Sequence, residues 1–537
     1  MRIKGTFYPL FFLAMITARA ELPVWKQAFV PDNDQWRKTP QKLIFNSGAD
    51  PETLDPHQVT AMDSFRLVEA LFEGLVTADP ETLETRPGTA AEWTVSDDGR
   101  TYTFTLFKNA RWSDGQALTA ADFVQSFKRA LSPDTAASYA ELYFHIVGAR
   151  AYYKRENPEF SSVGVRALTP TTLQVTLENP CSYFLELLAM PVFFPVRLDL
   201  IDRHEDQWTQ PGNLVGNGAF QLSAWAPRDR IVLTKNRRYH DAEFVKLERI
   251  DALFVDDLNT AYKLYLEGQV DWLPSIPHPR VEEIKRHPDY YIVPFAGTYF
   301  YRFNVTKAPF DNPLVRRAFC RATDRKAITG QLLKSGQLPV ASFCPEIGGY
   351  TPVDGLAYDP LKARELLSEA GFGTGKKPFP VIELSYNTDE GHKQIAEAVA
   401  HQWKRVLGVS VVTANTEWKV FLEDMKELNY QICRSSWIGD YGDPSTFFDI
   451  FEGSSGNNRT GWSHPRYDAL LNKTRTEQSQ ARRLAMFQEM ERILVEEECP
   501  VLPIYRYVNV GLLAEYVFGW YPNVRNAHPF KYMWIER

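Results

Sequence analysis

Long apolar runs are missing from this chain. The most apolar stretch, Phe7 to Ile16, covers about ten residues, where a membrane-crossing helix needs ~20, so no membrane span is expected. Basic excess is missing too. Sixty Lys and Arg against 67 Asp and Glu leave a net charge of −7, which argues against the basic face that nucleic acid requires and the polybasic patch that anionic lipid requires. Cysteine is scarce: Cys181, Cys320, Cys344, Cys433 and Cys499 are the only five. None forms a C-x-x-C pair, so redox and zinc motifs lack their spacing. At least one stays unpaired in a monomer, and burial as small apolar side chains is the expected fate in a chain this long, although an oxidising compartment allows up to two bridges. Repeats of 20 to 50 residues, low-complexity tracts and long linkers are likewise absent, so lobes must be joined by more than one crossing of the chain.

Catalytic signatures do not complete either. The glycines at 371, 373 and 375 before Lys376 suggest a phosphate loop, but Ala370 and Lys377 stand where Gly and Ser or Thr are needed, and a helix stop with a turn explains them. His392, Glu397 and His401 lie near one another, yet no H-E-x-x-H exists and a zinc site is not expected. G-x-S-x-G is also absent. The sequence thus predicts no catalytic residue, no metal site and no cofactor.

The N-terminus reads as an export signal. Arg2 and Lys4 precede the apolar core, and Ala18-Arg19-Ala20 forms an A-x-A cleavage site. The expected mature chain starts near Glu21, lacks a cysteine for lipid attachment and resides in a periplasm. Removing 20 residues leaves 517, enough for about three lobes at ~150 residues each. The 25 Tyr, 34 Phe and 13 Trp suit an aromatic-lined cavity and ordinary cores alike.

Patterning alternates strand and helix. Gln41 to Ser47 predicts a strand and Ser64 to Leu75 an amphipathic helix, with Phe65, Val68, Phe72 and Leu75 at helical spacing. Thr101 to Phe107 predicts a half-buried strand, and Thr119 with Asp122 an N-terminal cap for Ala120 to Leu131. Hairpins are expected over 164–177 and 218–234. Helices from Asn259 to Glu267 and Pro360 to Ala370 end at Gly268 and Gly371. Strands from Val381 to Tyr386, Val409 to Thr413 and Tyr430 to Arg434, separated by helices from Lys393 to Leu407 and Phe421 to Leu428, predict repeated β-α-β units.

Several short segments then carry a resemblance. Leu54-Asp55-Pro56-His57 is followed by Leu71-Phe72-Glu73-Gly74-Leu75. Next come Trp112-Ser113-Asp114-Gly115 with 118–124, Trp208 to Asn213 with Asn217-Gly218-Ala219-Phe220, Tyr386-Asn387-Thr388, Glu417-Trp418-Lys419 and Arg434 through Asp440. In this order, over some 400 residues, they resemble the oligopeptide-binding branch of the peptide-type solute-receptor family, the capture subunits of ABC importers. The resemblance implies an α/β fold of mixed sheets in three lobes, a hinged clamp. Lobe I would comprise 21–74, 198–296 and 506–537, accessory lobe II 75–197, and lobe III 297–505, with hinge crossings near Ala296 and Arg506.

It also implies a ligand: a short peptide, held extended like an added strand. Asp440, in W-x-x-D, would take its ammonium, and Arg434 or His392 its carboxylate. Lys307 is similar in placement to a lysine for longer peptides still. Trp437, Tyr139 and Trp418 match cleft residues, and Ser436 and Gly439 would lend backbone groups. Thr60, with Met62 nearby, stands where relatives can carry an acid, Met425 where they can carry an arginine, and Gly297 and Ile438 where they can carry paired cysteines. Partners expected are the peptide and permease subunits, with no nucleic acid, and the protein a monomer. Alternatives are a murein-peptide or other small-solute receptor of the same fold, or an exported peptide hydrolase.

Overall fold

The computed structural model describes residues 23–537 except 32, 138, 278–279, 374–375, 454 and 478. The expected export signal and its cleavage point lie outside the described residues.

Two long antiparallel strands form the spine. Tyr290–Phe303 and Val501–Leu513 sit side by side in the middle of an eleven-stranded mixed sheet. On one flank follow Ile432–Ile438, Ile382–Asn387 and Val411–Thr416; on the other, Trp272–Leu273, Lys42–Asn46, Arg249–Leu253, Arg230–Lys235 and Phe220–Ala226. Leu338–Pro339 pairs with Val501–Leu513 off this path. The register of the two central strands breaks between Pro294 and Thr298. Pro294 has no N–H to donate, and the interrupted ladder makes this the softest place in the spine. Both strands pass the break, so two cores share one sheet.

Before the break the sheet packs on Phe45, Leu67, Phe72, Ile250 and Trp272. Beyond it lie Tyr299, Phe319, Leu384 and Trp403 on one face and Phe300, Phe343, Phe447 and Phe487 on the other. A third body stands apart, a four-stranded antiparallel sheet ordered Ala90–Val95, Thr101–Leu106, Thr172–Thr176, Val165–Thr169. Its core holds Phe104, Phe123, Phe127 and Tyr143. The threonines of Thr101–Leu106 stay half-buried while Tyr102, Phe104 and Leu106 turn inward, as a period of two requires. Helix Ala120–Leu131 starts in a complete capping box of Thr119 and Asp122.

Most expected elements appear, with shifted ends. The first helix spans Met62–Leu71, short of Leu75, because Gly216 and Gly218 press against its last turn. A Cβ on Gly216 would sit 2.0 Å from the Leu71 carbonyl oxygen. The strand expected to end at Arg434 continues to Ile438, held by antiparallel pairing with Tyr290–Phe303. The helix expected from Phe421 begins at Trp418. Gly297 and Ile438 prove to be directly opposed cross-strand neighbours, and Ile438 Cδ1 occupies the space beside Gly297.

The segments that carried the resemblance mostly do structural work. Glu73, nearly fully buried, accepts hydrogen bonds from His240 Nε2 at 2.7 Å, Lys531 Nζ at 2.8 Å and the Tyr239 hydroxyl. Asn217 clasps the same residue's backbone, accepting from its N–H at 3.0 Å and donating to its carbonyl at 2.8 Å. Burial raises the Glu73 carboxyl, but Lys531 and His240 outweigh that and hold it far below the usual carboxylate range. Asp55 pairs with Arg129 at 2.6 Å, tying the third body to the first, and Asp114 pairs with Arg197 at 2.7 Å, where the chain leaves the third body.

Candidate functional site

Ile382–Asn387, Val411–Thr416 and Ile432–Ile438 run parallel. Their carboxyl ends therefore emerge along one edge, bringing together Asn387 and His392, Trp418, and the run from Ser436 to Asp440. Ligands of open α/β sheets collect at such an edge.

The strands splay there. Pairing of Ile382–Asn387 with Ile432–Ile438 ends at Ser385 opposite Cys433, whereas the other side of Ile432–Ile438 stays paired to Tyr290–Phe303 as far as Ile438. From Arg434 to Ile438 one backbone edge thus has no strand partner among the described residues. Ser436 lies in this run, opposite Tyr299. Trp437 is half-buried against the Phe447 core, and its indole N–H is buried without a partner among the described residues.

Past the strand's end lies a cavity of about 280 Å³. Phe65, Tyr139 and Met190 form its apolar wall, and Arg66, Glu69, Asp440, Arg525 and His528 its polar one. The Asp440 N–H donates to Thr446 Oγ1 at 3.2 Å, while its carboxylate has no hydrogen-bond or ion-pair partner among the described residues. Burial, reinforced by Glu141 and only partly offset by Arg525, pushes this carboxyl up to about 6. Tyr139 faces it, and burial together with Asp440 and Glu141 pushes the phenol up to about 12. Gly439 approaches Phe447 so closely that a Cβ would lie 2.9 Å from the ring. Its N–H is already committed to the Ala296 carbonyl at 2.8 Å, which leaves its carbonyl as the backbone group it could lend to a ligand.

At the other end of the splayed edge, Arg434 is buried among tyrosines. Its guanidinium lies 5.0 Å from the centre of the Tyr299 ring and donates to Tyr507 Oη at 3.2 Å and Asn387 Oδ1 at 3.4 Å. Its Nε is buried without a partner, and no carboxylate pairs with it among the described residues. His392 begins helix Glu390–Leu407 with its N–H on Asp389 Oδ1 at 2.9 Å. Burial and the Arg434 charge lower its imidazole to about 4, so at neutral pH it offers a hydrogen bond and no charge. Trp418 is nearly half exposed, stacked on Phe421 with centroids 6.2 Å apart.

Three expected residues fare differently. Lys307 is exposed and follows Phe303, whose partner is Ile432. Because the strands are antiparallel, Lys307 lies beyond the end of the strand away from Asp440, the direction in which the carboxylate of a longer peptide would extend. Thr60 reaches the cavity rim, where its hydroxyl donates to Glu52 Oε1 at 2.8 Å and its N–H to the same oxygen at 3.1 Å. Glu52 thus fixes Thr60 at the rim. The Met62 side chain lies outside the described residues. Met425 is buried in a small core with Phe421 and Tyr430.

Sequence reading missed Glu69, Arg525 and His528. Arg525 arrives on the C-terminal tail, 85 positions beyond Asp440, with no motif around it. A helix-face argument places Glu69 one turn after Phe65 on Met62–Leu71, but nothing local says that this face borders a cavity.

The central hinge strands, the accessory sheet and a cavity between all three bodies define a hinged solute receptor. Residues 84–459 match the model of the bacterial extracellular solute-binding proteins, family 5 Middle, and the chain belongs to that family. It is 35% identical to the dipeptide-binding protein of Bacillus subtilis over 91% of either chain. It is also 35% identical to the periplasmic murein peptide-binding protein of Escherichia coli over 89% of this chain and 90% of that one. Among solved structures it resembles the unliganded open form of the periplasmic murein tripeptide-binding protein MppA with a TM-score of 0.83, at 33% identity over 92% of this chain and 97% of that one. A second structure of the Escherichia coli murein tripeptide-binding protein, also at 33%, gives 0.74 over 93% and 99%.

Proposed function

We propose that this protein captures short peptides with a free α-amino group and delivers them to the permease of an ABC importer. The observation that carries this reading is the unpaired backbone edge from Arg434 to Ile438, with an unpartnered carboxylate beyond one end and an uncompensated guanidinium at the other. An extended peptide laid along that edge completes the sheet, its ammonium on Asp440 and its carboxylate on Arg434. Six residues of strand separate the two by at most ~20 Å, and a peptide of three to five residues at ~3.4 Å each fits within that span. His392, Trp418, Ser436, Trp437, Tyr139 and Thr60 flank the path.

The lobe boundaries follow from the same reading. Lobe I takes 21–74, 198–296 and 506–537, lobe II 75–197 and lobe III 297–505, with closure about the break near Ala296 and its partner at Arg506. Closure is driven by a ligand that both lobes touch, because only differential affinity moves such an equilibrium. The protein acts outside the cytoplasm, in the periplasm after cleavage near Ala20, as a monomer and without catalysis. A murein-type peptide is the second reading, favoured by Arg525. Its side chain has no hydrogen-bond or ion-pair partner among the described residues, and it lines the same cavity as Asp440, which suits a ligand with an additional carboxylate near its amino end.

Native mass spectrometry of protein taken from its own compartment tests the proposal. Co-purified peptides of narrow length range, lost in Asp440→Asn, support it; protein that binds no peptide from any added pool contradicts it. Incubation with a labelled peptide pool separates the receptor from a hydrolase, since a receptor returns the pool intact.

A further inference from the structure

The five cysteines are all buried thiols in this structure, and two of them are not isolated. Cys320 lies near the end of helix Pro313–Arg321. Cys499 lies two residues before the hinge strand Val501–Leu513. Both belong to the core around Phe319 and Trp403, and each thiol feels the other electrostatically. The neighbouring contacts fix this meeting. Cys320 Sγ reaches the Val501 carbonyl at 3.8 Å, and Arg316, one turn earlier, donates to the Glu498 carbonyl at 2.7 Å and the Glu498 carboxylate at 3.0 Å.

Cys499 is also held at φ +49°. Left-handed backbone costs a residue with a Cβ on the order of 1 kcal/mol, and glycine fills such positions without that cost. A cysteine here is explained if its sulfur has a task beyond packing. Cys181, Cys344 and Cys433 show no such juxtaposition with another thiol among the described residues.

We propose that Cys320 and Cys499 form a disulfide in the mature protein, clamping helix Pro313–Arg321 to the start of the hinge strand. The inference rests on the extracytoplasmic placement above, because cytosolic thiols are kept reduced. The thiolate of one cysteine displaces one thiolate from an oxidised disulfide reagent, either a protein disulfide or oxidised glutathione, to give a mixed disulfide. The other cysteine then attacks the sulfur of the first and expels the second thiolate. Two thiol protons pass to the two expelled thiolates, and two electrons reduce the reagent. Since both sulfurs are inaccessible in the folded chain, the exchange precedes closure of this core. Above the hinge break, the clamp holds one end of Val501–Leu513 fixed while the lobes swing.

The test is alkylation of the denatured full-length protein with iodoacetamide, without prior reduction, followed by digestion and mass spectrometry. Two samples are compared, one exported and one refolded with oxidised glutathione, and peptide titration is run on each. The proposal predicts a Cys320–Cys499 linked peptide two hydrogens lighter than the sum of its parts, with Cys181, Cys344 and Cys433 alkylated. It also predicts that Cys320→Ser abolishes the link. Five alkylated cysteines in the refolded sample, or a link between any other pair, overturn it. A link found only after oxidative refolding and absent from the exported protein also overturns the disulfide of the mature protein, and peptide titration reports on the receptor function whichever way the cysteines fall.

Discussion

The guanidinium of Arg434 lies 5.0 Å from the centre of the Tyr299 ring, and no carboxylate of the described residues meets it. A buried cation in that state is costly unless a partner arrives. If that partner is the peptide carboxylate, Arg434→Lys, which keeps the charge but loses the planar fork, weakens binding of a free-acid peptide by roughly tenfold to a hundredfold, about 1.5–3 kcal/mol. The same peptide as its C-terminal amide binds wild type and variant alike. Calorimetry on the four combinations checks this, and equal losses for acid and amide would assign Arg434 to the sheet alone.

Asp440 carries a stability penalty while the site is empty. Its carboxyl titrates near 6 in the folded chain, above its ordinary value, so the folded state holds the proton more tightly than the unfolded state. The penalty is present at neutral pH and disappears as pH falls through about 6 toward 4. Asp440→Asn therefore stabilises the ligand-free protein at pH 7.5 by on the order of 1–2 kcal/mol, with no gain at pH 4. Thermal melts at the two pH values measure it.

The same shift governs binding. Peptide ammonium needs the ionised carboxylate, so affinity is flat above pH 7 and falls by roughly tenfold between pH 7 and pH 5, with a proton released on binding near pH 6. Titration in buffers of different ionisation enthalpy detects that proton. A flat profile through pH 5 would remove Asp440 from the anchor.

Glu73 behaves oppositely. Lys531 and His240 hold its carboxyl below the ordinary range, so its contribution is present above pH 4.5 and is lost as pH falls further. Glu73→Gln leaves Lys531 buried without its counter-charge and costs about 3–5 kcal/mol. Denaturant unfolding at pH 7 reads the loss directly.

Much of this was legible in the sequence because the relevant signals are local. The alternation of Thr101–Leu106, the Thr119 and Asp122 cap and the β-α-β series from Ile382 to Ile438 are set by neighbours in sequence. The hinge was less legible: Tyr290–Phe303 is buried throughout its second half and shows no single period, because it is covered on both faces. Asp440 and Arg434 could be named from one motif on one strand. Arg525 and Glu69 could not, because each lines the cavity from a distant part of the chain, and only tertiary packing brings them near.

The account turns on whether Asp440 binds a peptide ammonium. Isothermal titration of a tripeptide and its N-acetyl derivative into wild type and Asp440→Asn measures that most directly. The account predicts measurable affinity only for the free amine with wild type, and a loss of at least tenfold on acetylation or on substitution, with no further loss when both are combined. Equal affinity of the free and acetylated peptides for wild type would contradict it.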